Sequence, residues 1–228
     1  MQRARSHYDT LQNIADDVAR LGYTGAAAIL KERISQTNKA RSGELGEILA
    51  VELVEERTDF VVPVRRLRYK DGRELALRGD DFIGIDDNNP SQLRLLKGES
   101  KSRITLAKGA ISAARKVLER DGGRPTPISL LFIADRLIKR GGSEKVLGQA
   151  LKDEVVNKSL PKSCIMHVLF TLSGNMPAHH LKDDLNTSDA EREHRTINIH
   201  IADHQDFIKE IYEGIENLGN GTGNTDLP

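Results

Sequence analysis

The spacing of apolar residues divides the chain into a helical first part and a longer part in which strands and helices alternate. Apolar positions recur at helical intervals over residues 11–21 and 24–34, which predicts a small helical N-terminal segment over residues 1–38. A third helix is predicted from Ser42 to Arg57. The same spacing predicts later helices over about residues 104–118, 144–156 and 203–218.

Between these helices the apolar positions follow the patterns of β-strands. Residues 61–69 have the composition of a strand, and residues 70–73 that of a tight turn into a short strand over residues 74–77. Further strands are predicted at residues 82–85, 93–101, 128–134, 164–172 and 197–202. Apolar strands separated by helices indicate a central sheet covered on both faces, so the expected fold is α/β. The glycine-rich residues 219–228 are expected to form a disordered tail.

Two neighbouring predicted strands carry the residues that could bind a metal ion or take part in catalysis. Gly-Asp-Asp at residues 79–81 leads into an apolar strand, and Gly-Glu-Ser-Lys at residues 98–101 lies on the next one. Side chains alternate along a strand, so Glu99 and Lys101 project from the same face. Asp81 directly precedes the apolar residues and is the favoured carboxylate, with Asp80 as the alternate. Such a set can hold a divalent cation and a water molecule, as phosphodiester hydrolysis requires. The competing interpretation is a surface ion pair on an edge strand.

The distribution of charge agrees with a phosphate-binding region. The chain has 34 Lys and Arg against 34 Asp and Glu, so its net charge alone suggests no partner. From Arg94 to Arg124, however, nine basic residues stand against three acidic ones, whereas residues 182–216 contain ten acidic and four basic. Positive charge therefore clusters around the motif. The residues expected to contact a nucleic-acid backbone are Lys97, Arg103, Lys108, Arg115 and Lys116. Lys108 and Arg115 are seven residues apart, which would place them on one helical face.

Two simple features bear on the compartment. Cys164 is the only cysteine, which excludes an intrachain disulfide and agrees with a reducing environment. No apolar stretch approaches the ~20 residues that a membrane-spanning helix needs. A cytoplasmic protein is therefore expected. The histidines near the acidic region have no zinc-finger spacing and are interpreted as loop and strand-end residues.

The order of helix, strands, helix and strand resembles the PD-(D/E)xK nuclease superfamily, which has the restriction-endonuclease-like fold. In that superfamily an acidic residue begins the second core strand, Glu/Asp-x-Lys lies on the third, and a glutamate often lies on the first core helix. The strict Pro-Asp pair is absent here, and Gly79-Asp-Asp replaces it. The residues in the matching places are Asp81 (or Asp80), Glu99, Lys101 and Glu47 (or Glu44).

Three segments narrow this resemblance: Arg41-Ser-Gly-Glu-Leu-Gly-Glu-Ile-Leu, Gly79-Asp-Asp-Phe-Ile-Gly and Gly98-Glu-Ser-Lys. Together they look like the HamA family, the nuclease subunit of the Hachiman bacterial phage-defence system. The match covers residues 41–134, within an expected nuclease-like domain over residues 39–218. It implies a DNA nuclease that a partner helicase, HamB, holds inactive until infection.

The same residues suggest a mechanism. A Mg²⁺ or Mn²⁺ ion held by Asp81, Glu99, the Ser100 carbonyl and Glu47 would polarise the scissile phosphate. Lys101 would orient the attacking water or accept its proton.

Two other functions fit the sequence. One is a non-catalytic module that binds nucleic acid or a helicase, and the other is a restriction or repair nuclease of the same fold. The choice between DNA and RNA, and between single and double strands, stays open.

Overall fold

The computed structural model describes residues 35–69, 78–86 and 93–220. Six α-helices and four strands lie in these ranges. The helices are α1 (Asn38–Arg57), α2 (Lys108–Glu119), α3 (Pro127–Arg140), α4 (Gly142–Asn157), α5 (Ala178–Asn186) and α6 (His204–Asn220). The strands are β1 (Phe82–Asp86), β2 (Arg94–Arg103), β3 (Ile165–Ser173) and β4 (His194–His200). A membrane-crossing helix, which needs sufficient length and hydropathy, is not found among the described helices.

The strands form one mixed sheet in the order β1-β2-β3-β4. β1 and β2 run antiparallel, while β2, β3 and β4 run parallel. β3 is buried along its whole length, as a central strand covered on both faces should be. The expected α/β class is confirmed, and a mixed sheet flanked by helices is compatible with a restriction-endonuclease-like core.

Each face of the sheet is covered by helices. On one face, α1 and α6 pack over β1, β2 and β3, and the shared core includes Leu45, Phe82, Phe170 and Tyr212. On the other face, one cluster joins Ile83 and Ile85 of β1 to α3 and α4, and a second joins α2 to β3. β2, which carries the Glu-x-Lys motif, is therefore an interior strand.

The prediction of a strand at residues 61–69 is wrong. Only an isolated bridge joins Val61 to Ile85, and a 3-10 helix follows at Arg66–Tyr69. Val62 and Val64 are buried while Val61 is 41% exposed, which is the alternation that suggested a strand. Pro63 lies between them and has no N–H to donate, so the ladder cannot continue.

The strand predicted at residues 128–134 is also wrong, because these residues belong to α3. Thr126 caps this helix by accepting a hydrogen bond from the Ser129 N–H, and proline is at its first position. The buried residues Leu130, Ile133, Ala134 and Leu137 follow helical spacing. A short apolar run looked like a buried strand because its helical period becomes visible only when Leu137 is included.

Several expectations fall on residues that the structure does not describe. These are the two N-terminal helices, the hairpin and short strand over residues 70–77, most of the turn after β1, and residues 221–228 of the expected tail. The other predicted helices and strands are confirmed, with their ends shifted by a few residues.

A buried ion pair links the start of β1 to β2. Lys97 is fully buried, and its ammonium lies 3.5 Å from the Asp80 carboxylate. It also donates hydrogen bonds to the carbonyls of Arg120 and Arg124, at 2.9 and 2.8 Å. Asp80 in turn accepts hydrogen bonds from the Thr126 N–H and hydroxyl. The segment before β1 is thus fixed to β2 and to the start of α3.

We expect Lys97→Ala to destabilise the fold by about 3 kcal/mol or more, because it leaves the buried Asp80 carboxylate without its cation. Urea unfolding measures this change. Lys145→Ala, at an exposed position of α4, should change stability by less than about 0.5 kcal/mol. Equal, small effects of both substitutions would show that the buried pair is not needed.

Candidate active site

Asp81 lies beside the motif strand at the point where β1 begins. The register pairs Phe82 with Gly98, which brings Asp81 alongside Glu99. The Ser100 N–H donates a hydrogen bond of 2.8 Å to the Asp81 carboxylate. This backbone bond fixes the carboxylate next to the two motif side chains.

Glu99 and Lys101 project from the same face of β2 and form an ion pair. Lys101 also donates a hydrogen bond of 3.2 Å to the Ser100 carbonyl. Glu99 is only 3% exposed, and β2 has a partner strand on each side. The interpretation of this pair as a surface contact on an edge strand is therefore wrong.

Helix α1 brings Glu47 to the same place. Glu47 and Asp81 line one small cleft, with Val51, Val62 and Phe82 among its walls. α1 can approach β2 closely because residue 46 is glycine. A Cβ there would lie 2.8 Å from the Ser100 hydroxyl oxygen and 3.3 Å from the Ser102 Cβ. A larger side chain would push the helix, and Glu47 with it, away from the motif.

A second glycine shapes the site on the strand itself. The Phe82 ring lies across Gly98, and a Cβ at that position would be 2.0 Å from a ring carbon. The absence of a side chain at Gly98 thus lets β1 lie flat against the motif strand. Gly98 precedes Glu99 directly, so this packing sets where the motif begins.

Burial raises the pKa of all three carboxyl groups, and the charge of Asp81 adds to the rise at Glu47 and Glu99. Burial raises the pKa of Glu47 well above its ordinary value, and the negative charge of Asp81 adds to the rise. Burial also raises the pKa of Asp81, against the Ser100 hydrogen bond and the charge of Lys101. For Glu99, burial and then Asp81 raise the pKa to about 7. Converging carboxylates with this property favour a bound cation, which would remove their mutual repulsion.

The two alternates from the sequence have other partners. Asp80 points into the buried pair with Lys97. Glu44 is 6% exposed and accepts hydrogen bonds from the Ser35 hydroxyl at 2.5 Å and the Tyr212 hydroxyl at 3.3 Å. The structure therefore brings Asp81 and Glu47, rather than Asp80 and Glu44, to the motif. Their role in binding a metal stays a prediction.

Two of the five expected backbone contacts are contradicted. Lys97 is enclosed in the core, so its ammonium cannot reach a phosphate. Arg115 is 6% exposed and uses its guanidinium on Asp184 and the His194 ring. Lys108 lies seven residues earlier in the same helix and is exposed, so it alone of this pair remains available to a phosphate. Arg103, Lys108 and Lys116 are exposed and remain candidates.

A histidine group lies apart from this cluster. His179, His180 and Asp183 of α5 bring their possible ligand atoms within 4.8 Å of one another. His179 is exposed, and its Nδ1 already lies 3.0 Å from the Asp183 carboxylate. This local pairing explains the contact without an ion.

Comparison with known proteins shows which family this chain belongs to. A family model described as HamA matches residues 2–215. The chain belongs to the HamA family. It is also similar to Hachiman protein HamA of Bacillus cereus, with 28% identity over 191 residues. The aligned part covers 83% of this chain and 66% of that relative, just under two thirds of its length. The expected membership of the HamA family is confirmed.

One charged residue of this HamA-family site was missed. Arg66 is 8% exposed and lines the cleft with Glu47 and Asp81. Its positive charge works against the burial that raises the pKa of both carboxyls. The sequence offers little to single it out, because Arg65 and Arg68 are its close neighbours and the segment was interpreted as a strand.

The raised pKa of Glu99 has a consequence for stability. A carboxyl whose pKa is higher in the fold stabilises the protein below its ordinary pKa, and this contribution is lost as pH rises through about 7. We expect Glu99→Gln to be more stable than the wild type by about 1–3 kcal/mol at about pH 8 without divalent metal. The gain should vanish at about pH 5.

Urea unfolding in a chelator at both pH values measures this difference. Glu193→Gln, at an exposed glutamate directly before β4 that pairs with Arg195, is the control and should show no such dependence. A Glu99→Gln variant that is less stable than the wild type at both pH values would contradict the charge repulsion.

Proposed function

We propose that this chain is the metal-dependent nuclease effector of a Hachiman-type anti-phage defence system and that a partner helicase controls it. The observation that supports the catalytic part is the cleft shared by Glu47 and Asp81 beside the Glu99–Lys101 ion pair. Membership of the HamA family supports the defence role. The helicase partner is what the resemblance of the motif segments implies.

The donor set suits a hard divalent cation. Mg²⁺ and Mn²⁺ prefer oxygen ligands, and the proposed ligands are the carboxylates of Asp81, Glu99 and Glu47 with the Ser100 carbonyl. When bound, such an ion polarises the scissile phosphate and acidifies a water molecule. The raised pKa values of these groups support this assignment, since a cation would hold them in the charged form.

The remaining chemistry comes from the protein's own groups. Glu99 holds the Lys101 ammonium in place, and the Ser100 carbonyl gives it a second contact. From this position Lys101 can orient the attacking water and offset the charge that develops on the phosphate. Glu47 and Asp81 line the small cleft next to this pair.

The substrate is proposed to be DNA held by its backbone. The exposed cations Arg103, Lys108 and Lys116 follow the motif in sequence and can neutralise phosphates. The chain has no tryptophan and 4% aromatic residues, which does not favour a base-stacking platform. Contacts to phosphates alone would make cleavage weakly dependent on base sequence.

We expect Glu99→Ala and Lys101→Ala to reduce plasmid cleavage in Mg²⁺ at least about 100-fold, because each removes a group that acts on the water or the metal. Lys139→Ala, on the exposed face of α3, should cut like the wild type. All proteins are purified free of a helicase, and circular dichroism establishes that each variant is folded.

Two results would contradict the nuclease proposal. One is wild-type cleavage by both motif variants. The other is a wild type that, free of its partner, leaves DNA intact in Mg²⁺ and in Mn²⁺. The second result would favour the non-catalytic binding module.

A further inference from the structure

Arg66 places a buried positive charge beside the carboxylate cluster. It opens the 3-10 helix Arg66–Tyr69 and lines the same small cleft as Glu47 and Asp81. With 8% exposure it has lost most of its hydration, which is costly for a guanidinium unless other groups compensate. The negative charges of Glu47 and Asp81 offset part of this cost, since Arg66 acts to lower the pKa of both carboxyls.

A backbone carbonyl fixes the guanidinium. The Arg66 Nη2 donates a hydrogen bond of 2.7 Å to the carbonyl of Arg78, three residues before Asp81. This bond uses one of the five N–H donors that an arginine carries. A carbonyl has no net charge, so the bond orients the side chain without neutralising it. The flat fork of the guanidinium is thereby held near the cleft, in the form that binds phosphate oxygens in pairs.

Arg66 adds a positive charge on the side of Glu47 and Asp81, as Lys101 does beside Glu99. A divalent ion among these carboxyl groups would be repelled by both cations. A phosphodiester, which carries a negative charge, would be attracted by both cations and by the ion. Arg66 is thus a hindrance to metal binding alone but an advantage once a phosphate is present.

We propose that Arg66 is a phosphate-binding residue of the site, which holds the scissile phosphodiester on the Glu47 side while Lys101 acts on the Glu99 side. This inference rests on the proposed function and adds a substrate contact to it. The alternative is a purely structural role, in which Arg66 only ties the segment before β1 in place. Removing Arg66 should leave metal affinity unchanged or higher if it binds phosphate, and should lower metal affinity if its role is structural.

The test compares Arg66→Met with Arg65→Met. Both side chains line the cleft, but the Arg65 guanidinium is occupied by ion pairs with Glu52 and Glu55 of α1. The measurements are Mn²⁺ affinity without DNA, by calorimetry, and affinity for a short DNA duplex in Ca²⁺. Cleavage in Mg²⁺ is measured in parallel. Arg66→Lys is the second variant, because it keeps a charge and one donor for the Arg78 carbonyl if Arg66→Met does not fold.

Arg66→Met is expected to bind Mn²⁺ as tightly as the wild type or more tightly, because a neighbouring positive charge is gone. Its affinity for the duplex should fall about tenfold or more. Arg66→Lys should keep its Mn²⁺ affinity and lose several-fold in duplex affinity, since an ammonium cannot bind two oxygens in parallel. Arg65→Met should match the wild type in both.

Weaker Mn²⁺ binding by the Arg66 variants, with duplex affinity unchanged, would overturn the inference in favour of the structural role. Wild-type cleavage and duplex affinity in both Arg66 variants would also overturn it, while leaving the nuclease proposal intact. If the wild type binds the duplex through Arg66 but never cuts, the nuclease proposal fails and the phosphate contact stands. A wild type that neither binds nor cuts the duplex contradicts both.

Discussion

The burial of three neighbouring carboxyl groups is the constraint around which this site is built. Glu47, Asp81 and Glu99 come from a helix, a strand start and an interior strand, and each is brought out of water towards the others. Such an arrangement is unfavourable on its own, and only a rigid surrounding structure can maintain it. The fold supplies that rigidity on several sides.

Three features of the core hold the carboxyls together. Gly46 lets α1 lie close to β2, and the Phe82 ring crosses Gly98 so that β1 and β2 meet without a gap. The buried pair of Lys97 with Asp80 then fixes the residue just before Asp81. Adjacent aspartates thus have different tasks, because one is turned into the core and the other towards the motif. A divalent ion would lower the free-energy cost of burying these carboxyl groups together. The arrangement of the fold is therefore linked to the proposed chemistry.

Much of the site could be predicted from the sequence because it depends on the spacing of residues within short segments. The two-residue period of a strand puts Glu99 and Lys101 on one face, and the apolar residues after Asp81 place it at the start of the preceding strand, β1. Glu47 and Glu44 could not be separated, since both lie on α1 and only packing decides which one faces the cleft. The prediction of a strand at residues 128–134 failed for a related reason. A short apolar run fits both the two-residue period of a strand and the 3.6-residue period of a helix.

Charged residues were harder to interpret than apolar ones. Lys97 and Arg115 looked like surface cations, yet each is buried against a carboxylate that lies far away in sequence. Arg66 was overlooked because nothing in its neighbourhood distinguishes it from Arg65, which pairs with α1 instead. Whether a charge is paired depends on contacts between distant segments, and the local pattern carries no record of them.

The most direct test of the central claim is a crystal structure of the protein soaked in Mn²⁺, with anomalous scattering used to locate the ion. The account predicts one strong peak in contact with the carboxylates of Asp81 and Glu99, with Glu47 bound directly or through water. An empty cluster at saturating Mn²⁺, or a peak only at His179, His180 and Asp183, would contradict it.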